Sequence, residues 1–214
     1  MLASGETLGL AESAINGSRH FCAFFHNEDE ELRTLLPFIV EGLAAGEKAL
    51  HIVNAAIRDE YRGRLRAGGI DVAAVEQSGQ LEVIAWPNSD LLVSGEFDPE
   101  HALEMIDRLL GAAREQGYRR TRGIGYMEWA FQNQIREGAL MVYEARLNTI
   151  LTRYDDPIIC SYDLSRSSGT VVLDVMRTHP AVLIGGVLQR NPFYISPEQM
   201  LEELRARGEM GRDE

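Results

Sequence analysis

The residues with the clearest chemical potential are a few histidines, two cysteines and some isolated carboxylates. His20, Cys22 and His26 recur at even spacing, so they share one face if the chain there is a regular strand. Imidazole and thiol donors can hold a divalent metal, but such sites take three or four convergent ligands. His26 is expected past the end of the strand, so His20 reads as a packed, hydrogen-bonded residue and no metal is expected. Cys22 and Cys160 stand far apart in apolar runs without a CxxC or Cys/His ladder. Buried reduced thiols are expected, not a disulfide. Asp155-Asp156-Pro157 reads as a turn and not an acid/base pair. Glu128 is a lone carboxylate and reads as a hydrogen-bond acceptor. Arg122 is expected to pair with an acidic neighbour. His179-Pro180 reads as a helix end, where a partly charged imidazole would suit the dipole.

Most catalytic signatures are missing. No GxxxxGK[ST] is present. The nearest decoy, Gly42 to Gly46 followed by Glu47-Lys48, lies between a helix and the next strand, whereas a phosphate loop lies between a strand and the next helix. Its glycines read as a helix C-cap and turn. Gly123-Ile124-Gly125 is followed by Glu128 where a dinucleotide fold needs a third glycine. GxSxG and HExxH are also missing. No enzymatic activity and no cofactor are therefore expected.

The elements that must position these residues alternate. Apolar runs at 20–25, 48–54, 81–85, 122–127, 158–162 and 181–184 read as strands. Helical periodicity fills 28–45, 55–67, a stretch opened by Asp98-Pro99, a long run 131–154, and 169–178. Ser196-Pro197-Glu198-Gln199 has the form of a capping box that starts a last helix, and 185–194 reads as a turn-rich segment that pins it. Strands alternating with long helices imply an α/β fold of three layers, with a mostly parallel sheet and helices on both faces. Continuous apolar strands suit such a buried sheet. One domain at 19–196 is expected, with an N-terminal extension at 1–18 and a C-terminal helix and tail at 197–214. Open parallel sheets bind ligands beyond the carboxyl ends of their strands. The candidate ligand-binding residues are accordingly Phe25, His26, Asn27, Trp86, Glu128, Trp129, Tyr162 and Asp163.

The net charge of −12 and pI near 4.9 argue against nucleic acid and against anionic membranes. With no signal-peptide pattern or spanning stretch, a cytoplasmic protein is expected.

Several segments in order resemble the MEDS sensory-domain family. They are His20 to Phe25, Pro37 to Leu43, Gly46 to Ile52, Gly117-Tyr118, Arg122 to Trp129, Tyr143-Glu144, Cys160 to Leu164, and His179-Pro180 before Val182 to Ile184. Their order and spacing agree over about residues 19–185. The resemblance implies a sensory domain on a RecA/KaiC-like fold that has lost its nucleotide loop. Phe25-His26-Asn27-Glu28-Asp29-Glu30 fills the turn where that loop would sit, and Glu128 would be the vestige of a catalytic carboxylate. Members of the family are joined to helix-turn-helix, PAS or histidine-kinase modules, none of which is recognisable here. The implied function is to bind a small molecule and signal to a partner such as a histidine kinase or anti-sigma component, with a homodimer as a further option. The alternatives are an interaction module without a ligand and a cryptic nucleotide-binding protein.

Overall fold

The computed structural model describes residues 17–86, 92–93, 96–128, 130 and 135–210, with only the backbone path given at 86, 92, 93 and 96. The elements run β1 (His20–Phe25), α1 (Glu28–Ala44), β2 (Lys48–Asn54), α2 (Arg58–Ala67), α3 (Val72–Gln77), β3 (Leu81–Trp86), the short pair β4 (Leu92–Val93) and β5 (Glu96–Phe97), α4 (Pro99–Glu115) and β6 (Thr121–Tyr126). They continue as α5 (Glu137–Leu151), β7 (Ile158–Asp163), α6 (Gly169–Thr178), β8 (Ala181–Ile184), β9 (Val187–Arg190) and α7 (Pro197–Arg207).

Seven strands form one sheet in the order β3-β2-β6-β7-β1-β8-β9. Every neighbouring pair is parallel except β8 with β9. The alternation of strand side chains then builds two cores. Phe21, Ala23 and Phe25 of β1 face Leu35, Phe38 and Ile39 of α1 and Tyr61 and Leu65 of α2. Cys22 and Phe24 face the other way, into a core shared with α4, α5, α6 and α7. The expected α/β three-layer fold is what the chain adopts.

Local chemistry sets the element ends. Asp98 caps α4 by accepting from the backbone N–H groups of Glu100 and His101, with Pro99 in the first turn. Asp98→Ala is expected to lower stability by about 1 kcal/mol in a urea titration; an unchanged midpoint would show that the cap contributes nothing. Ser196 Oγ accepts from Gln199 N at 3.2 Å, and Gly208 ends α7 in the left-handed region at φ 71°. Met200 and Leu204 bury this helix in the same core as α5 and α6.

Four expectations need correction. The long helix starts at Glu137, and its expected first residues 131–134 lie outside the described residues. It is buried on nearly every side because α4, α6 and α7 all pack on it. At Gly138 a Cβ would lie 2.1 Å from the Glu209 carbonyl oxygen, so only glycine fits there. The stretch 55–67 opens as a 3-10 turn (Ala55–Ile57) before α2, because Asn54 caps it by accepting from Ala56 N. The turn-rich 185–194 contains β9, paired antiparallel to β8 around Gly185-Gly186, both at positive φ. Gly42 is no C-cap: it lies inside α1 and is packed on Arg122, while Gly46 makes the turn at φ 73°.

Candidate functional site

The turn from β1 into α1 sits at the carboxyl edge of the sheet. Asn27 caps α1, its Oδ1 accepting from Glu30 N at 2.9 Å, and Glu30 reaches back to accept from His26 N at 2.9 Å. Two backbone donors of this turn are thereby committed to the protein's own side chains. His26 is exposed, whereas Phe25 is buried in the α1–α2 core.

Next to this turn, α1, α2 and the end of β6 line a small cleft. Its lining includes Glu31, Tyr61, Arg64, Tyr126 and Glu128. Its free volume is about 20 Å³, room for roughly one water. Tyr126 donates its hydroxyl proton to Tyr61 at 3.0 Å, and Tyr61 in turn bonds His51 Nδ1 at 2.8 Å. Burial pushes His51 down to about 3, so its imidazole is neutral and accepts from Tyr61. His51 Nε2 has no hydrogen-bond partner among the described residues.

Acid dominates the mouth of the cleft. Burial pushes Glu31 up to about 8, the Ser161 hydroxyl that donates to it works against the rise, and the charges of Glu128, Glu28 and Asp163 add to it. Burial also raises Glu128, against the pull of Arg166 3.6 Å away. Arg166 spans Glu128 and Asp163, and Arg64 spans Glu28 and Glu60. Two carboxylate pairs are thus tied by two arginines near Glu31.

The expected ligand-binding residues divide accordingly. Glu128 and Asp163 meet at the cleft through Arg166, with Asn27 in the adjoining turn. Trp86 ends β3 opposite Asn54, and Trp129 lies outside the described residues. Tyr162 points through the sheet to the other core, where its hydroxyl donates to Glu144. Sequence reading missed Glu31, Tyr61, Arg64 and Tyr126. The first three are on helices, and only their positions on the faces of α1 and α2 nearest the strand ends could have flagged them.

On that second face Glu144 of α5 meets His20, Cys160 and His179, all buried. His179 was expected to be partly charged at a helix end. Burial instead pushes it down to about 3, with the nearby His20 acting in the same direction, so the imidazole is neutral. Among the other singled-out residues, Arg122 pairs with Glu47 at 2.6 Å as expected. Lys48 is buried against Glu82 and Gln116, away from the β1–α1 turn. Asp156 holds Thr121 N at 2.6 Å, a structural bond at the start of β6.

Residues 19–180 match the family described as the methanogen/methylotroph, DcmR sensory domain, MEDS. The chain belongs to the MEDS family. It is 24% identical over 161 residues to the transcriptional repressor DcmR of Methylorubrum extorquens, an alignment that takes in 75% of this chain and 57% of the repressor. The MEDS chain therefore corresponds to little more than half of that protein's length. Its fold is similar to that of a KaiC-like protein from Pyrococcus horikoshii OT3, with a TM-score of 0.56 at 13% identity, covering 78% of this chain and 72% of the other. Among the described residues of this MEDS chain, no helix is long and apolar enough to cross a membrane.

Proposed function

We propose that this chain is a non-catalytic sensory domain that binds a small molecule at the carboxyl-edge cleft and passes the signal to a partner protein. The observation that carries the reading is the cleft between α1, α2 and the end of β6, where a carboxyl raised to about 8, two linked tyrosines and two arginine clamps converge. Its place at the ends of parallel strands is where such sheets take ligands. Membership of a sensory-domain family gives the same direction.

The lining favours a small neutral or cationic molecule with hydrogen-bond donors. Glu28, Glu31, Glu60 and Glu128 outnumber Arg64 among the residues around it. A triphosphate would meet that acidity, and the β1–α1 turn has spent two of its backbone donors on Asn27 and Glu30. Loss of the ancestral phosphate loop is therefore part of this proposal, as is the lack of catalytic residues. Because the enclosed space is near one water, a larger ligand must push α2 outward and strain the Arg64 clamp. Movement of α2 is the signal on this reading, and a kinase or anti-sigma component is the class of partner that would receive it.

Native and denaturing mass spectra of the purified chain test this. An organic mass retained only in the native state, and bound at least tenfold more weakly by Tyr126→Phe and Glu128→Gln, is the expected result. No retained organic mass, and no saturable binding of small alcohols or amines by calorimetry, would sink it. A second reading, an interaction module without ligand, has its own observation. Ile184, Val187 and Phe193 are exposed around the β8–β9 edge. If that reading holds, Val187→Asp removes association in sedimentation while the cleft stays inert.

A further inference from the structure

We propose that His20, Cys160, Glu144 and His179 form a four-ligand site for a divalent metal ion of the zinc class, on the opposite face of the sheet from the cleft. The candidate ligand atoms all lie within 4.8 Å of one another, and all four residues are buried. Four of the six ligand-atom separations are close to those around a bound zinc ion, and the other two lie within 4.8 Å. A tetrahedral zinc ion with the usual bond lengths sets its ligand atoms about 3.3–3.7 Å apart. His20 Nε2 stands 3.2 Å from Glu144 Oε2 and 3.4 Å from Cys160 Sγ. Glu144 Oε2 is 3.5 Å from both His179 Nε2 and Cys160 Sγ.

The hydrogen bonds around the cluster fix which atoms face inward. Asn148 spends its amide protons on the carbonyls of Glu144, Ala145 and Thr178, so its Oδ1 is the end that meets His20 Nδ1, at 3.3 Å. An amide oxygen only accepts, so His20 Nδ1 carries a proton and Nε2 is the nitrogen turned toward Glu144 and Cys160. His179 Nδ1 faces the Val175 carbonyl at 2.7 Å, which likewise places a proton on Nδ1. Its Nε2 is buried without a hydrogen-bond partner among the described residues. His179 Nε2 is thus a buried acceptor that no donor among the described residues meets, beside a carboxylate oxygen 3.5 Å away, a mismatch that a cation among the four ligand atoms would remove.

A divalent ion resolves the mismatch. Cys160 loses its proton on binding, and thiolate and carboxylate together balance a charge of +2, so a neutral site results within the core. Asn148 and the Val175 carbonyl would be the outer partners that orient each imidazole, and Tyr162 orients the carboxylate by donating to its other oxygen. Four protein ligands make the site closed, hence structural, tying β1, β7 and α5 to the chain just before β8. This is independent of the proposed ligand cleft, since no residue is shared.

The chain, refolded from denaturant with one equivalent of Co²⁺ or Zn²⁺, tests it. One metal per chain in the native mass spectrum, with the thiolate-to-cobalt charge-transfer absorption of a tetrahedral site, is the expected result. Cys160→Ser should abolish that absorption, while Cys22→Ser, the control thiol, keeps it. Asn148→Ala should weaken zinc binding about tenfold, as loss of an outer partner does. The wild-type stoichiometry decides the matter even if a variant fails to fold. A chain that refolds fully with no bound metal overturns the proposal, and absorption that survives Cys160→Ser but not Cys22→Ser overturns the assignment of ligands.

Discussion

Arg122→Ala is expected to lower the unfolding free energy by about 3–5 kcal/mol, the usual cost of removing one partner from a buried ion pair. Arg122 is the second residue of β6 and is almost wholly buried. Its Nε donates to Glu47 at 2.6 Å, its Nη1 donates to the Phe38 carbonyl at 2.8 Å, and its guanidinium lies 4.8 Å from the centre of the Phe38 ring. Alanine would leave the Phe38 carbonyl without this donor and Glu47 with only its longer contact to Arg120, at 3.5 Å. Urea denaturation reads the loss, and a change below about 1 kcal/mol would mean that Glu47 escapes to water at little cost. Arg122→Met combined with Glu47→Gln should recover much of it, because shape is kept and no charge is left alone.

Glu31→Gln should instead stabilise the chain at pH 8, by about 2 kcal/mol once the partial exposure of the side chain is discounted. The folded carboxyl holds its proton up to about pH 8, whereas the ordinary value is 4.5. Between those limits the native chain binds a proton that the unfolded chain has released. Stability contributed by Glu31 therefore falls as pH rises through the window and is level above it. Glu28 from α1, Glu128 beyond β6 and Asp163 from β7 face the group, and each raises it. Thermal melts across pH 5–9 would show the slope in the wild type and a flatter profile in the variant. Equal slopes in both would place the proton elsewhere.

These residues illustrate what a sequence discloses. The sheet and most helices were legible because their signals are local: apolar runs for β1, β2 and β7, a cap at Asp98 and another at Ser196. Arg122 was legible as a pairing cation since a buried charge needs a partner wherever it lies. The N-terminus of α5 was misplaced because a helix buried on several sides carries no clean apolar stripe to mark its limits. The cleft was half legible. Glu128 and Asp163 follow strands and could be placed, but Tyr61 and Arg64 reach it only through the docking of α2. Tyr162 was assigned to the strand end with no means of knowing which side of the sheet it faces. The cluster at Glu144 had no spacing signature at all. Its four members come from four distant segments, and the regular pattern at His20, Cys22 and His26 drew attention along one strand when the convergence runs across several.

The central place of β1 has a consequence for synthesis. Its hydrogen-bonding neighbours are β7 and β8, starting at Ile158 and Ala181. A ribosome makes the apolar segment His20–Phe25 first, yet nothing made before residue 158 can cover either of its edges. Until β7 is made the nascent chain thus exposes an unpaired, aggregation-prone strand. Fragments that stop short of β7 should be insoluble however well α1 and β2 are formed, and the assembly of the middle of the sheet must wait for the last third of the chain.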